Sequence, residues 1–233
     1  MVDVGFLLIG SRSWSTQNIK YTFSSDFLSR TDVNIPDINN DITGKITSST
    51  IDTGNSLGGD AATLWSNVAD ITLESTNTVN DADMAILKAN VIDPPGKNNV
   101  GYASLAPTSA SSSTTASAVF IEDGQPLWVY LHELGHALGL SHPNDDVEDP
   151  DYNRDVTIMS KRDGDHVIGG LVNRQAKTPM LYDIAAIQSL YGANFSYKGE
   201  ANTSHTFDGS KVARTIWDGG GAGDVLDASN QTT

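Results

Sequence analysis

The sequence predicts an α+β fold, and three observations carry that prediction. Short strand-like runs lie mostly before residue 122. Three stretches repeat their apolar residues with helical period: 56–70, a run that opens at Pro126, and 181–191. After Gly192 the chain becomes rich in Gly, Asp and Thr with only short apolar islands. That shift places a domain boundary there, giving units of 1–192 and 193–233, the second a short β-rich Gly/Asp tail.

Taken in order, residues 1–9 hold a short apolar run without a basic start or a small-residue cleavage site, and read as a strand or chain end, not a signal peptide. Residues 19–23 alternate as a strand. The Asp-, Asn-, Thr- and Ser-rich stretch 31–55 is expected to be irregular. In 56–70, Leu57, Ala61, Leu64, Trp65 and Val68 form one apolar stripe of a helix. Residues 71–73, 83–87 and 101–105 read as short strands, with a turn at Pro94-Pro95-Gly96. The Ser/Thr/Ala tract 109–117 reads as a surface loop or as a rim over a cleft. After a strand at 118–121, Pro126 opens a helix where its missing N–H costs nothing. Leu127, Tyr130, Leu131, Leu134 and Leu138 form its apolar face, and Gly139 stops it. Ile184, Ile187, Gln188 and Tyr191 share one face of the last helix, which Gly192 ends.

Composition excludes several functions. The 233 residues carry a net charge of −15, with 24 Asp against only 5 Glu. So acidic a surface argues against nucleic acid or an anionic membrane as partner. No cysteine is present, so thiolate metal sites, disulfides and a Cys nucleophile are ruled out. No apolar stretch approaches the roughly 18 residues that a membrane span needs. The Asp excess itself points to turns or to hard-cation sites.

Residues 132–142 carry the chemistry. They read His-Glu-Leu-Gly-His-Ala-Leu-Gly-Leu-Ser-His, the pattern His-Glu-x-x-His-x-x-Gly-x-x-His. At about 100° per residue, His136 lies roughly 40° and Glu133 roughly 100° around the helix from His132. Two imidazoles one turn apart suit a single Zn²⁺. Gly139 can take positive φ and swing His142 back as a third nitrogen ligand. Three protein ligands leave a position for water, the mark of a catalytic zinc site. At this composition His-Glu-x-x-His is expected by chance on the order of 10⁻³ times in the chain. Glu133 is then expected to face the water as general base and to hand its proton to a leaving amine. His166 and His205 have no such context and read as ordinary residues.

The elongated motif resembles that of the metzincin metallopeptidases. Thr157-Ile158-Met159-Ser160 fits the Met-turn of that clan, Met159 lying 17 residues after His142. More narrowly, the chain resembles the serralysins, secreted bacterial zinc proteases. His142-Pro143, the Met-turn and Met180-Leu-Tyr-Asp-Ile-Ala-Ala-Ile-Gln-Ser-Leu-Tyr-Gly-Ala-Asn194 carry that likeness. Ile216-Trp217-Asp218-Gly219-Gly220-Gly221 is similar to the opening of the serralysin calcium-binding β-roll, and Gly101-Tyr102-Ala103 to the edge strand that pairs with substrate. The resemblance implies a metzincin-type twisted mixed sheet of about five strands with the zinc helix beneath a cleft, and Met159 as an apolar floor. It implies a secreted, zinc-dependent endopeptidase that takes an extended polypeptide antiparallel to the edge strand, a protein protease inhibitor as a second partner, and a monomer. Carried over, Asp218, Gly220, Gly221 and Asp224 would hold Ca²⁺, which takes carboxylate and backbone oxygens.

Three departures stand out. Lys161 occupies the place of the family's Tyr two residues after the Met-turn Met, and reads as a solvated cation or as a substitute transition-state stabiliser. The loop 144–155, with Asp145, Asp146, Glu148, Asp149, Asp151 and Asp155, is shorter than the family's and reads as a solvated turn or a cation site. The glycine segment is one residue longer, and the chain stops at Thr233 before any run of nine-residue calcium repeats, as expected of a fragment or of a minimal roll. Competing readings are an inactive binding or adhesin module of a larger RTX-type protein, a peptidase using Glu148 or Glu200 as third ligand, and a zinc hydrolase of non-peptide bonds.

Overall fold

The computed structural model describes residues 4–8, 12–31, 33, 46–50, 56–91, 100–107, 116–143, 153–161, 176–199, 202–207 and 213–231. Among these, eight strands and three α-helices form: β1 (Asn18–Thr22), β2 (Ile46–Thr50), α1 (Ser56–Val68), β3 (Thr72–Ser75), β4 (Met84–Val91), β5 (Gly101–Ala103), β6 (Ser117–Ile121), α2 (Leu127–Ala137), α3 (Leu181–Tyr191), β7 (Ser204–Thr206) and β8 (Val225–Asp227). One mixed sheet runs β3-β1-β4-β6-β5, with β2 added beside β4. β1, β3, β4 and β6 are parallel, β4 registering on β6 from Met84↔Ser117 to Lys88↔Ile121. β5 is the antiparallel edge, Gly101 opposite Ile121 and Ala103 opposite Val119.

Alternation along the central strands sorts the core into two. Met84, Ile86, Val119 and Ile121 face the large cluster made with α1 and α2. Ala85, Leu87, Ala89, Ala118 and Phe120 face a smaller cluster around Phe27. Both faces of the middle strands are therefore covered, which is why they read as continuous apolar runs. Of the predicted stripe of α1, Ala61, Trp65 and Val68 are buried while Leu57 and Leu64 are half-buried, Ala62 is buried besides, and the indole Nε1 of Trp65 donates to the Leu131 carbonyl of α2 at 3.2 Å.

The sheet, α2 and α3 match their expected places closely, α3 residue for residue. Two expectations are corrected. The described part of 1–9 is not a strand but a single 3₁₀ turn, Gly5–Leu7, followed by an isolated bridge from Leu8 to Leu140. The turn sinks Leu7 fully into the core, a gain that an isolated strand there would forgo. Within 31–55, the run Ile46–Thr50 is a strand, antiparallel to the C-terminal half of β4. Ile46, Thr47 and Thr50 are residue types that favour strands, a preference outweighed in the sequence by the polar composition around them. The turn at 94–96, the tract 109–115, His166, and Asp145, Asp146, Glu148, Asp149 and Asp151 lie outside the described residues. No described helix is long and apolar enough to cross a membrane.

Candidate metal centre

Helix α2 starts after Pro126 and carries the motif on its last turns. Its C-terminal end is tightly held. Trp14 Nε1 donates to the Ala137 carbonyl at 2.9 Å and the Tyr191 hydroxyl to the Leu138 carbonyl at 2.8 Å, so carbonyls that a helix end leaves over are satisfied. The chain then reverses at Gly139, where φ is +110°. A Cβ there would stand 2.4 Å from the Arg12 carbonyl oxygen, so both the dihedral and the space require glycine.

The reversal brings His142 back over the helix. Its Nε2 lies 3.1 Å from Nε2 of His132 and 3.1 Å from Nε2 of His136, and the three ligand atoms fall within 4.8 Å of one another. The other ring nitrogens of His132 and His136 are fixed by backbone. His132 Nδ1 is 2.7 Å from the Ile158 carbonyl and His136 Nδ1 is 2.8 Å from the Leu140 carbonyl. A carbonyl can only accept, so each Nδ1 carries the proton and each Nε2 turns its lone pair to the common point. Burial holds His132 down to about 4, and the nearby charges of His142, Arg154 and Lys161 push the same way. Burial, then His132 and His142, holds His136 well below the ordinary imidazole value. Neutral imidazoles converging at one point are the donor set that Zn²⁺ takes, with a fourth position left for a non-protein ligand.

Glu133 sits beside this cluster on the cleft side, only 7% exposed. Burial alone pushes its carboxyl up to about 8. The edge strand β5 lies directly on it: a Cβ on Gly101 would come within 2.8 Å of Glu133 Cγ and Oε1. Met159 is fully buried behind the helix, its sulfur 2.7 Å from where a Cβ on Gly135 would stand. It packs on α2 as an apolar support. Lys161 lines the cleft together with Ser160, Arg154, Trp128 and the β5 residues.

Sequence reasoning missed Asp183. This residue is fully buried at the start of α3 and accepts from Thr157 Oγ1 at 2.5 Å, from the Ile158 N–H at 2.8 Å and from the Met180 N–H at 2.8 Å. It therefore clamps the turn whose Ile158 carbonyl orients His132. Burial outweighs these hydrogen bonds and pushes its carboxyl up to about 6. An acid in the first turn of a helix was the visible signal, but it reads as a cap.

The tail residues are placed differently. Asp218 Oδ2 accepts from His205 Nε2 at 2.9 Å and Oδ1 from the Gly220 N–H at 3.1 Å, while Asp224 Oδ1 accepts from the Thr203 N–H at 2.8 Å. The Gly220 N–H, then His205, holds the Asp218 carboxyl below its ordinary value. Gly221 and Gly223 take positive φ, 119° and 123°. Among the described residues, the three histidines alone form a cluster of three or more His, Cys, Asp or Glu side chains able to share an ion. His205, read as ordinary, is a buried partner of Asp218.

No protein-family model matches the chain. Among curated proteins it is similar to the serralysin of Photorhabdus sp. (strain Az29), 30% identical over 202 residues that cover 72% of this chain and 41% of that protein. It is likewise similar to serralysin C of Dickeya chrysanthemi, 30% identical over 200 residues, 71% of this chain and 41% of that protein. The metallopeptidase AprA of Pseudomonas marginalis is 35% identical over 128 residues, 43% of this chain and 27% of that protein. The chain spans about two fifths of the length of the serralysins it matches. Mixed sheet, converging histidines and these similarities agree, and they identify the chain as a serralysin-like metzincin.

Proposed function

We propose that the chain is the peptide-hydrolysing part of a secreted zinc endopeptidase, with His132, His136 and His142 as the zinc ligands. The convergence of three imidazoles beside a buried carboxylate, under the strand that ends the sheet among the described residues, is the observation that carries this reading. Bound there, Zn²⁺ supplies a water activated near neutral pH and polarises the scissile carbonyl. Glu133 takes the proton of the attacking water and passes it to the leaving amine nitrogen. Its place in the cleft beside the three histidines puts the carboxylate within reach of both partners of that transfer. β5 pairs with β6 on one side, so its other edge can add an extended polypeptide by main-chain hydrogen bonds. Gly101 keeps that edge close to Glu133.

Lys161 is assigned to the developing oxyanion, where a cation lowers the barrier. Asp218, Gly220, Gly221 and Asp224 are assigned to a Ca²⁺ in the tail, whose glycine turns let carbonyls converge with carboxylates. Secretion and a polypeptide substrate are carried over from the serralysin relatives.

The test is cleavage of casein by the zinc-loaded chain. Glu133→Ala should abolish it while zinc content stays near one per chain; loss of zinc with activity would instead make Glu133 structural. Absence of any metal-dependent cleavage by the unsubstituted chain favours the inactive binding module. In the same assay Lys161→Ala should lower kcat by at least about tenfold. An unchanged kcat sinks the oxyanion role.

A further inference from the structure

Beyond Gly192 the chain turns back and bonds to residues at both ends of α3. Ahead of the helix, Ala213 bridges Ala176 in parallel, and its carbonyl accepts the Lys177 N–H at 3.0 Å. The next rung of such a ladder needs an N–H at position 179, and Pro179 has none. The Thr178 hydroxyl takes its place. It donates to the Thr215 carbonyl at 3.4 Å and accepts the Thr215 N–H at 2.8 Å. Thr215 Oγ1 in turn donates to the sulfur of Met180, the residue that caps α3, at 3.9 Å. Past the helix, Trp217 Nε1 donates to the Asn194 carbonyl at 3.1 Å, and the Asn194 side-chain amide donates to the Ser66 carbonyl of α1 at 2.8 Å. Thr215 and Trp217, two residues apart, therefore clasp the two ends of one helix.

That helix braces the metal centre from both sides. At its start Asp183 accepts the Met180 and Ile158 N–H groups, and the Ile158 carbonyl holds His132 Nδ1. At its end the Tyr191 hydroxyl donates to the Leu138 carbonyl, beside the Gly139 turn that returns His142. Met180 belongs to both sets of bonds, its N–H to Asp183 and its sulfur to Thr215. From Thr178 to His132 each step is thus a hydrogen bond or a short run of backbone. Partners that aim a ligating imidazole set metal affinity, and losing one costs about ten- to a hundredfold.

We propose that Thr178 and Trp217 are positioning residues of the metal centre: segment 213–217 is a strap that holds α3, and through α3 the groups that aim His132 and His142. The inference rests on the zinc reading above. It is tested on the full chain by measuring zinc affinity against a competing chelator, in variants that keep every ligand. Thr178→Val removes the hydroxyl at nearly unchanged shape, and Trp217→Phe removes the indole N–H but keeps a ring. Each should weaken zinc binding roughly threefold to tenfold, less than loss of a direct imidazole partner because the effect passes through α3. Thr178→Ser, which keeps the hydroxyl, should bind as the unsubstituted chain does. With Co²⁺ loaded instead of zinc, the visible absorption bands should shift in Thr178→Val and stay in place in Thr178→Ser. Phe27→Leu supplies a fall in Tm from the smaller core cluster, away from α3, and should leave zinc affinity and the bands unchanged. Unchanged zinc affinity in either strap variant overturns the proposal, as does an equal loss in Phe27→Leu. If Thr178→Val does not fold, Trp217→Phe decides alone. A chain that binds zinc but cleaves no casein overturns the protease reading and leaves the strap to these measurements, while a chain that binds no zinc overturns both.

Discussion

At Gly139 the backbone φ of +110° and the Arg12 carbonyl, 2.4 Å from any added Cβ, act on the same atom position. Gly139→Ala therefore combines a disfavoured dihedral with a collision against backbone that cannot move aside cheaply. The expected cost is at least about 2 kcal/mol, with Tm lowered and zinc lost to a competing chelator at lower chelator concentration. Unchanged Tm and zinc retention would mean that the turn can re-form another way. The need for a glycine at this place was legible, because only a sharp turn lets His142 join His132 and His136. The collision partner was not, since Arg12 is brought there by tertiary packing. Lys161 shows the same limit: the sequence leaves it as a solvated cation or a transition-state stabiliser, and its exposed place on the cleft wall comes only with the structure.

Two elements far apart in sequence are joined through Asp183. From the first turn of α3 it holds the Thr157-Ile158 backbone, and Ile158 in turn holds His132 on α2. Removing the side chain in Asp183→Ala leaves buried donors without an acceptor, about 1–3 kcal/mol each. Asp183→Asn is different: the amide oxygen can still accept from the Ile158 and Met180 N–H groups while its NH₂ faces the Thr157 hydroxyl. The pH dependence separates charge from hydrogen bonding. The folded-state pKa, about 6, is raised above the ordinary 3.8, so the folded chain binds this proton more tightly than the unfolded chain. Its contribution to stability is full below about 4 and is lost as pH rises through about 6. Urea midpoints measured across that window should fall more steeply in the unsubstituted protein than in Asp183→Asn; parallel curves would mean that Asp183 titrates elsewhere. The span of α3 was readable from Ile184, Ile187 and Tyr191 because helical period is local. That its acid reaches back 25 residues to a turn was not, because the sequence shows only a cap.

For the molecule as a whole, the order of strands and helices, the motif and the third histidine were legible, each resting on spacing along the chain. What escaped was whatever depends on a partner: β2, whose polar run becomes a strand only against β4, and the N-terminal turn, which forms to bury Leu7. The Asp excess likewise divides only in three dimensions, Asp183 serving the core and Asp218 serving His205. The histidine turn also binds the start of the described chain to its middle. Ser141 N–H meets the Leu7 carbonyl at 2.8 Å, Leu140 bridges Leu8, Arg12 closes over Gly139, and Trp14 caps Ala137. Ion affinity and the docking of this N-terminal stretch are then two sides of one thermodynamic linkage. Whatever loosens residues 5–8 and 12–14 weakens the grip on the ion from a distance, and a captured ion tightens stretches that contribute no ligand to it.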